Sequence, residues 1–154
     1  MKYILSNKEI DGCVFCAAKD MPDGPANLVV HRGKHAFVIL NKYPYTSGHL
    51  MVVPYAHHAT LTALDADTRA EMMALTNHCM LVLEKVYRPQ GYNVGINIGA
   101  AAGAGIRMHV HMHIVPRWSG DTNFMASVGD TRVLPETLTQ TYWRIHNEWE
   151  ISES

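Results

Sequence analysis

Residues 108–115 read Met-His-Val-His-Met-His-Ile-Val, an alternation of imidazole and apolar side chains. Side chains alternate across a strand, so this spacing predicts a strand over 108–115. His109, His111 and His113 then share one face at ~6–7 Å intervals. Val110, Met112 and Ile114 take the opposite face and can anchor the row from behind. On a helix, residues two apart diverge, and the row would be lost. Three histidines on one straight strand also span too far to share a single metal ion easily.

The pattern extends on both sides. The small-residue run 99–105 (GAAAGAG) precedes the row. Before it, 92–98 (YNVGINI) alternates again, with Asn93, Gly95 and Asn97 on one face and Val94, Ile96 and Ile98 on the other. Segments 27–31 (NLVVH), 35–40 (HAFVIL) and 48–53 (GHLMVV) read as three more strands. Arg32-Gly33-Lys34 makes a turn, 41–47 (NKYPYTS) a loop, and Pro54 a stop. Asp65 or Asp67 suits the cap of a long helix. Met72, Met73, Thr76, Cys79, Met80, Leu83, Val86 and Tyr87 give it an apolar face, and Pro89 and Gly91 end it. Met and Cys on such a face are core packing. Pro135 suits the first turn of a last helix, with Leu138, Tyr142, Ile145 and Trp149 as its stripe. Strands joined by short loops around a long helix predict an α+β fold: a five-stranded antiparallel sheet, one long helix and a C-terminal helix.

The 154 residues fit one domain over 1–154, and 47% hydrophobic content supplies a core. A net charge of -1 argues against electrostatic binding to nucleic acid or an acidic membrane. No apolar run approaches the ~18 residues of a membrane span, and Met1 to Asp11 lacks the pattern of a secretory signal. An odd count of three cysteines does not suggest a disulfide framework, which points to a reduced, cytoplasmic setting.

A neutral imidazole nitrogen is a good nucleophile near pH 7 and can attack phosphorus. Neighbouring imidazoles can hold phosphate oxygens or move a proton, and the Gly-Ala run can offer backbone N–H groups. No Gly-Lys-Ser/Thr follows that run, so it is not a Walker loop, and it is not a GxGxxG fingerprint.

The stretch 105–116 (GIRMHVHMHIVP) resembles the motif of the histidine triad (HIT) family. Segments 37–53 and 97–103 are also similar to that family, and the resemblance spans about residues 10–125. It implies a HIT-like homodimer whose two sheets join. It also implies a nucleotide hydrolase or nucleotidyltransferase acting at the α-phosphate of adenine nucleotides such as diadenosine tetraphosphate. Carried over by position, His111 is the nucleophile, His113 contacts phosphate, and His49 in Ser-Gly-His supports them. His109 completes the row. Asn41 matches the ribose-binding position. Asn97, with Gly103, Gly105 and the backbone of Ile106, matches the phosphate side. Phe37 and Ile39 are candidates for the base pocket, and simple core packing explains them as well. Ile106 departs from the family, which usually carries a polar side chain there, so the proton donor to the leaving group is left open. The stretches 116–125 and 131–133 resemble the bacterial branch that includes diadenosine tetraphosphate phosphorylases. Arg117 and Asn123 are then candidates for holding polyphosphate, against a packing role for Trp118 and Phe124.

Cys13-Val-Phe-Cys16 has metal-ligand spacing, but two ligands alone are a weak signal. Some HIT proteins bind zinc through such a pair with two histidines, and the matching set here is Cys13, Cys16, His58 and His109. His57 adjoins His58, and the distance to Leu61 favours His58. Such a zinc is structural and leaves the substrate alone. A buried reduced pair or a redox pair is the alternative. Two rivals to the hydrolase or phosphorylase reading remain: cleavage of nucleoside phosphoramidates, and a nucleotide-binding module with negligible turnover.

Overall fold

A run of alternating residues buries one set of side chains on each face of a sheet, and two separate cores result. The computed structural model describes residues 12–121 and 134–154. Its elements are α1 (Val14–Lys19), β1 (Val29–Arg32), β2 (Ala36–Leu40), β3 (Leu50–Pro54), α2 (Ala66–Tyr87), β4 (Gly91–Ile96), β5 (Met112–Arg117) and α3 (Leu138–Glu153). The strands form one antiparallel sheet in the order β1-β2-β3-β5-β4. Val38, Leu40, Leu50, Val52, Met112 and Ile114 pack under α2 and α3. The alternate residues Phe37, Ile39, Met51 and Val53 join Cys13, Phe15 and Cys16 in a second core on the other face.

Asp65 caps α2 by accepting from the Thr68 N–H, and Arg88 closes the helix in the left-handed conformation. The buried face of α2 is Met72, Leu75, Thr76, Cys79, Val82 and Leu83. Met73, expected on that face, is 59% exposed; its angular position turns it toward water, and Leu75 and Val82 fill the stripe. Helix α3 begins at Leu138, after Pro135. The start is fixed by a capping box in which Thr137 and Gln140 exchange side-chain and backbone hydrogen bonds. The carboxylate of Glu71 on α2 accepts the N–H groups of Lys34, His35 and Ala36, tying the turn between β1 and β2 to the helix. Burial alone would raise its pKa, but these donors hold it below the ordinary value.

Two further features differ from what the sequence predicts. Helix α1 carries no sequence signal of its own. Its six residues are too few to show a periodicity, and burial of Phe15, Cys16 and Ala18 holds it. The strand expected over 108–115 enters the ladder only at Met112. By continuation of the register, Val110 would face Pro54, which has no N–H to donate. Val110 instead donates its own N–H to the carbonyl of His58 at 2.7 Å. Asn123, Phe124 and 131–133 lie outside the described residues.

Candidate active site and metal centre

The three histidines keep a common face even though only His113 lies in the regular strand. Rings of His111 and His113 are 4.7 Å apart, and Phe15 packs against both His109 and His111 at 5.4 and 4.9 Å. His113 pairs with Met51 on β3 and Gly95 on β4, so the histidine face is the face of the second core. A side chain at Gly95 would meet nothing within 4 Å, which leaves open space beside His113.

Each ring has its protonation assigned by its partner. His111 Nδ1 lies 2.9 Å from the carbonyl of His109. Nδ1 therefore carries the proton and Nε2 keeps its lone pair. Burial lowers the pKa of His111, so the ring is neutral at pH 7. His49 is fully buried, and its Nδ1 accepts the N–H of Tyr45 at 3.2 Å. Its Nε2 then donates to His113 Nδ1 at 2.9 Å. Asn41 Nδ2 also lies 3.4 Å from that nitrogen, but the shorter His113 contact and the unambiguous backbone donor decide the tautomer. His113, with Nδ1 accepting, presents Nε2–H. Burial, helped by the neighbouring His111, pushes its pKa down to about 4.

Gly48 explains the Ser-Gly-His spelling. Its φ is +84°, and a Cβ there would come within 2.9 Å of Leu83 and Tyr87 on α2. Only glycine lets the chain turn this close to the helix and deliver His49 to the sheet.

At the other end of the row, His109 donates Nε2–H to the carbonyl of Pro54 at 2.7 Å. Its free Nδ1 points at Cys13 Sγ (3.3 Å), Cys16 Sγ (3.6 Å) and His57 Nδ1 (3.1 Å). Cys16 Sγ lies 3.3 Å from His57 Nδ1, and all four ligand atoms fall within 4.8 Å of one another. A tetrahedral zinc with ~2.3 Å Zn–S and ~2.0 Å Zn–N bonds needs ligand atoms roughly 3.3–3.8 Å apart. The donor set and its spacing therefore fit zinc in a closed four-ligand shell. The Pro54 carbonyl orients the His109 ring as outer-shell groups do at such sites. Without a cation, burial and the neighbouring Cys13 push the Cys16 thiol up to about 11, so binding would release its proton. His57, and not the expected His58, is the histidine whose Nδ1 joins this cluster. The backbone of His58 is tied to Val110, and its side chain faces out, while that of the preceding residue turns in.

Other expected residues distribute unevenly. Asn41 joins the His49–His113 pair. Phe37 and Ile39 are packed in the second core, and Ile106 lies against it. Asn97 is exposed after β4. Gly103 lies within, and Gly105 just after, a formed loop in which Ala102, Gly103 and Ala104 spend their N–H groups on Gly99 and Ala100 carbonyls. Arg117 grips both carboxylate oxygens of Asp121 at 2.6 and 2.8 Å and the Asn93 amide oxygen at 2.7 Å. Those contacts give it a structural role in closing the turn after β5. Phe15 and Tyr45, both in contact with site histidines, were missed. Their signal was position alone: one lies inside the Cys pair, the other four residues before His49.

This fold and histidine arrangement coincide with a family match: residues 24–120 match the HIT domain, and the chain belongs to that family. It is 46% identical over 122 residues to an AP-4-A phosphorylase of Mycobacterium tuberculosis, covering 79% of this chain. The chain spans 63% of the length of that relative. Among solved structures, a Zn-bound histidine triad family protein from Mycobacterium smegmatis aligns with a TM-score of 0.73 at 27% identity, over 93% of this chain and 96% of that one. A histidine triad nucleotide-binding protein described as hypothetical, from Sulfolobus tokodaii, gives 0.73 at 28% identity, over 92% and 94%. Among the described residues, no helix is long and apolar enough to cross a membrane.

Proposed function

We propose that this chain is a nucleotidyltransferase that cleaves dinucleoside polyphosphates such as diadenosine tetraphosphate at the α-phosphate, with inorganic phosphate as acceptor. The observation that carries the reading is the neutral His111, whose Nδ1–H is bound to the His109 carbonyl and whose Nε2 lone pair is left to attack. The Nε2 of His111 bonds to the α-phosphorus, and the bond to the bridging oxygen breaks. ATP leaves, and a nucleotidyl-histidine remains. Phosphate then attacks that phosphorus and releases ADP, returning His111 to its starting state. The Nε2–H of His113, backed by His49, hydrogen-bonds a phosphate oxygen as charge shifts. Asn41 holds the ribose and Ile39 lines the base side, with Phe37 buried beside it in the second core.

Ile106 supports a polyphosphate over a phosphoramidate. Its side chain has no proton to give, and a polyphosphate leaves as a stable anion, whereas an amine must be protonated to leave. The Mycobacterium tuberculosis relative supports phosphate as acceptor. Zinc held by Cys13, Cys16, His57 and His109 would stabilise the strand entry mechanically, and no step passes through it. The protein works in the cytoplasm, where thiols stay reduced. It acts as a homodimer. The edge strand β4 and the exposed Val94 and Ile98 suit a second copy, and sedimentation at micromolar concentration is expected to give twice the chain mass.

Product analysis tests the reading. Diadenosine tetraphosphate is incubated with the protein, with and without inorganic phosphate, and nucleotides are resolved by chromatography. ADP plus ATP formed only with phosphate is expected. AMP plus ATP without phosphate would replace phosphate by water as acceptor. No product would overturn the reading in favour of phosphoramidates or binding alone.

A further inference from the structure

The loop 41–47 holds a residue that the proposed chemistry has not used. Tyr45 touches His49 twice. Its backbone N–H donates to His49 Nδ1 at 3.2 Å, and its ring stacks on the imidazole at 5.0 Å between centroids and 29° between planes. Its own side chain is 53% exposed, while His49 beneath it is fully buried. The loop is anchored at both sides of the contact. Asn41 Oδ1 accepts the Tyr43 N–H at 2.8 Å, and Thr46 Oγ1 donates to the Pro116 carbonyl at 2.7 Å.

From this geometry we infer that Tyr45 is a positioning residue for the His49–His113 pair: its N–H fixes the His49 tautomer and its ring holds the imidazole plane. The two contacts do different things. The N–H places the His49 proton on Nε2, and only in that form can His49 donate to His113 Nδ1. That donation in turn directs the His113 Nε2–H toward substrate. The ring keeps water from Nδ1 and prevents a turn of the imidazole that would break the 2.9 Å bond to His113. As positive charge builds on the pair opposite a developing anion, the π face of the tyrosine lies against it, which favours the transition state over the resting state. The stacking contact asks for a flat ring at this position, so phenylalanine should replace tyrosine and an aliphatic side chain should not.

This inference rests on the proposed function of the site, and the experiment separates the two. Wild type, His111→Asn, Tyr45→Phe, Tyr45→Leu and Tyr45→Ala are assayed on diadenosine tetraphosphate with phosphate, with thermal midpoints recorded for each. Tyr45→Ala and Tyr45→Leu are expected to lose about tenfold or more in kcat with KM changed less than about twofold, while Tyr45→Phe keeps wild-type kcat. Imidazole nitrogen–proton NMR spectra give a second readout that does not depend on turnover. His49 is expected as the Nε2–H tautomer in wild type and Tyr45→Phe, with faster solvent exchange of that proton in Tyr45→Leu and Tyr45→Ala. An inactive His111→Asn beside a fully active Tyr45→Ala would overturn the role of Tyr45 alone. So would a Tyr45→Phe as impaired as Tyr45→Ala, or an Nδ1–H tautomer of His49 in the wild type, even if the alanine variant failed to fold. An active His111→Asn would overturn the site reading itself.

Discussion

His109 and His111 are two residues apart, carry the same side chain and sit on the same face, yet they are prepared for opposite partners. His109 gives its Nε2 proton to the Pro54 carbonyl, so Nδ1 is free and faces two thiols and a second imidazole. His111 gives its Nδ1 proton to the His109 carbonyl, so Nε2 keeps its lone pair, and the ring lies 4.7 Å from that of His113. One lone pair suits a cation, the other an electrophilic phosphorus. The difference lies in which carbonyl each ring can reach, and the imidazole itself is neutral in both places. Residue type states what chemistry is available, while the backbone acceptor decides which nitrogen performs it.

The largest expected effect breaks the reactive end and leaves the metal end intact. His111→Asn should reduce turnover of diadenosine tetraphosphate by about 10⁴-fold or more, as loss of a nucleophile does. Zinc content by mass spectrometry under native conditions should remain one ion per chain, and loss of the ion would merge the two ends into one unit.

The next effect works on the metal end. Cys16→Ser should abolish zinc binding and lower the thermal midpoint by about 10 °C, corresponding to a loss of roughly 3–5 kcal/mol. His57→Ala should also lose zinc, whereas His58→Ala should keep it, measured by metal content after dialysis against a mild chelator. Retention in His57→Ala and loss in His58→Ala would reverse the ligand assignment.

The smallest effect is in acid. The folded-state pKa of His113 is lowered from the model-peptide value of 6.5 to about 4 by burial. The unfolded chain therefore binds a proton that the folded chain refuses between those values. Stability from this group is complete above about pH 6.5 and is lost as pH falls toward 4; the whole gap would be worth about 3.4 kcal/mol, which solvent screening of the half-buried ring reduces to about 2 kcal/mol. Thermal midpoints of wild type and His113→Gln should converge or cross as pH drops through that window. Parallel curves would mean that folding leaves proton binding by this ring unchanged, and that burial does not hold it neutral.

Much of this was legible in the sequence where one local rule dominated. Short apolar runs between turns placed the first three strands, period-two alternation the last two, and Asp65, one of two candidate caps, the start of α2. The family motif led to His49, Asn41 and His111. Legibility ended where tertiary partners choose between near-equal options. His57 and His58 are adjacent, and only the path of the chain past Val110 turns one inward. Arg117 reads as a phosphate ligand from the sequence, and only the structure shows that three of its N–H donors go to Asp121 and Asn93. Helix α1 is too short to announce itself, and its Phe15 gains meaning only from the two imidazoles it touches. The strand expected to start at residue 108 starts later because a proline on the neighbouring strand withholds one donor.

The alternation of β2 and β3 has a use in engineering. Val38, Leu40, Leu50 and Val52 belong to the helix-covered core, while their immediate neighbours Phe37, Ile39, Met51 and Val53 belong to the histidine side. A combinatorial library restricted to the second set would vary the surroundings of the triad histidines without touching one side chain of the helical core. Selection for a new ligand could then proceed on a scaffold whose helical core is unaltered, with libraries built on consecutive positions avoided because they would mix both.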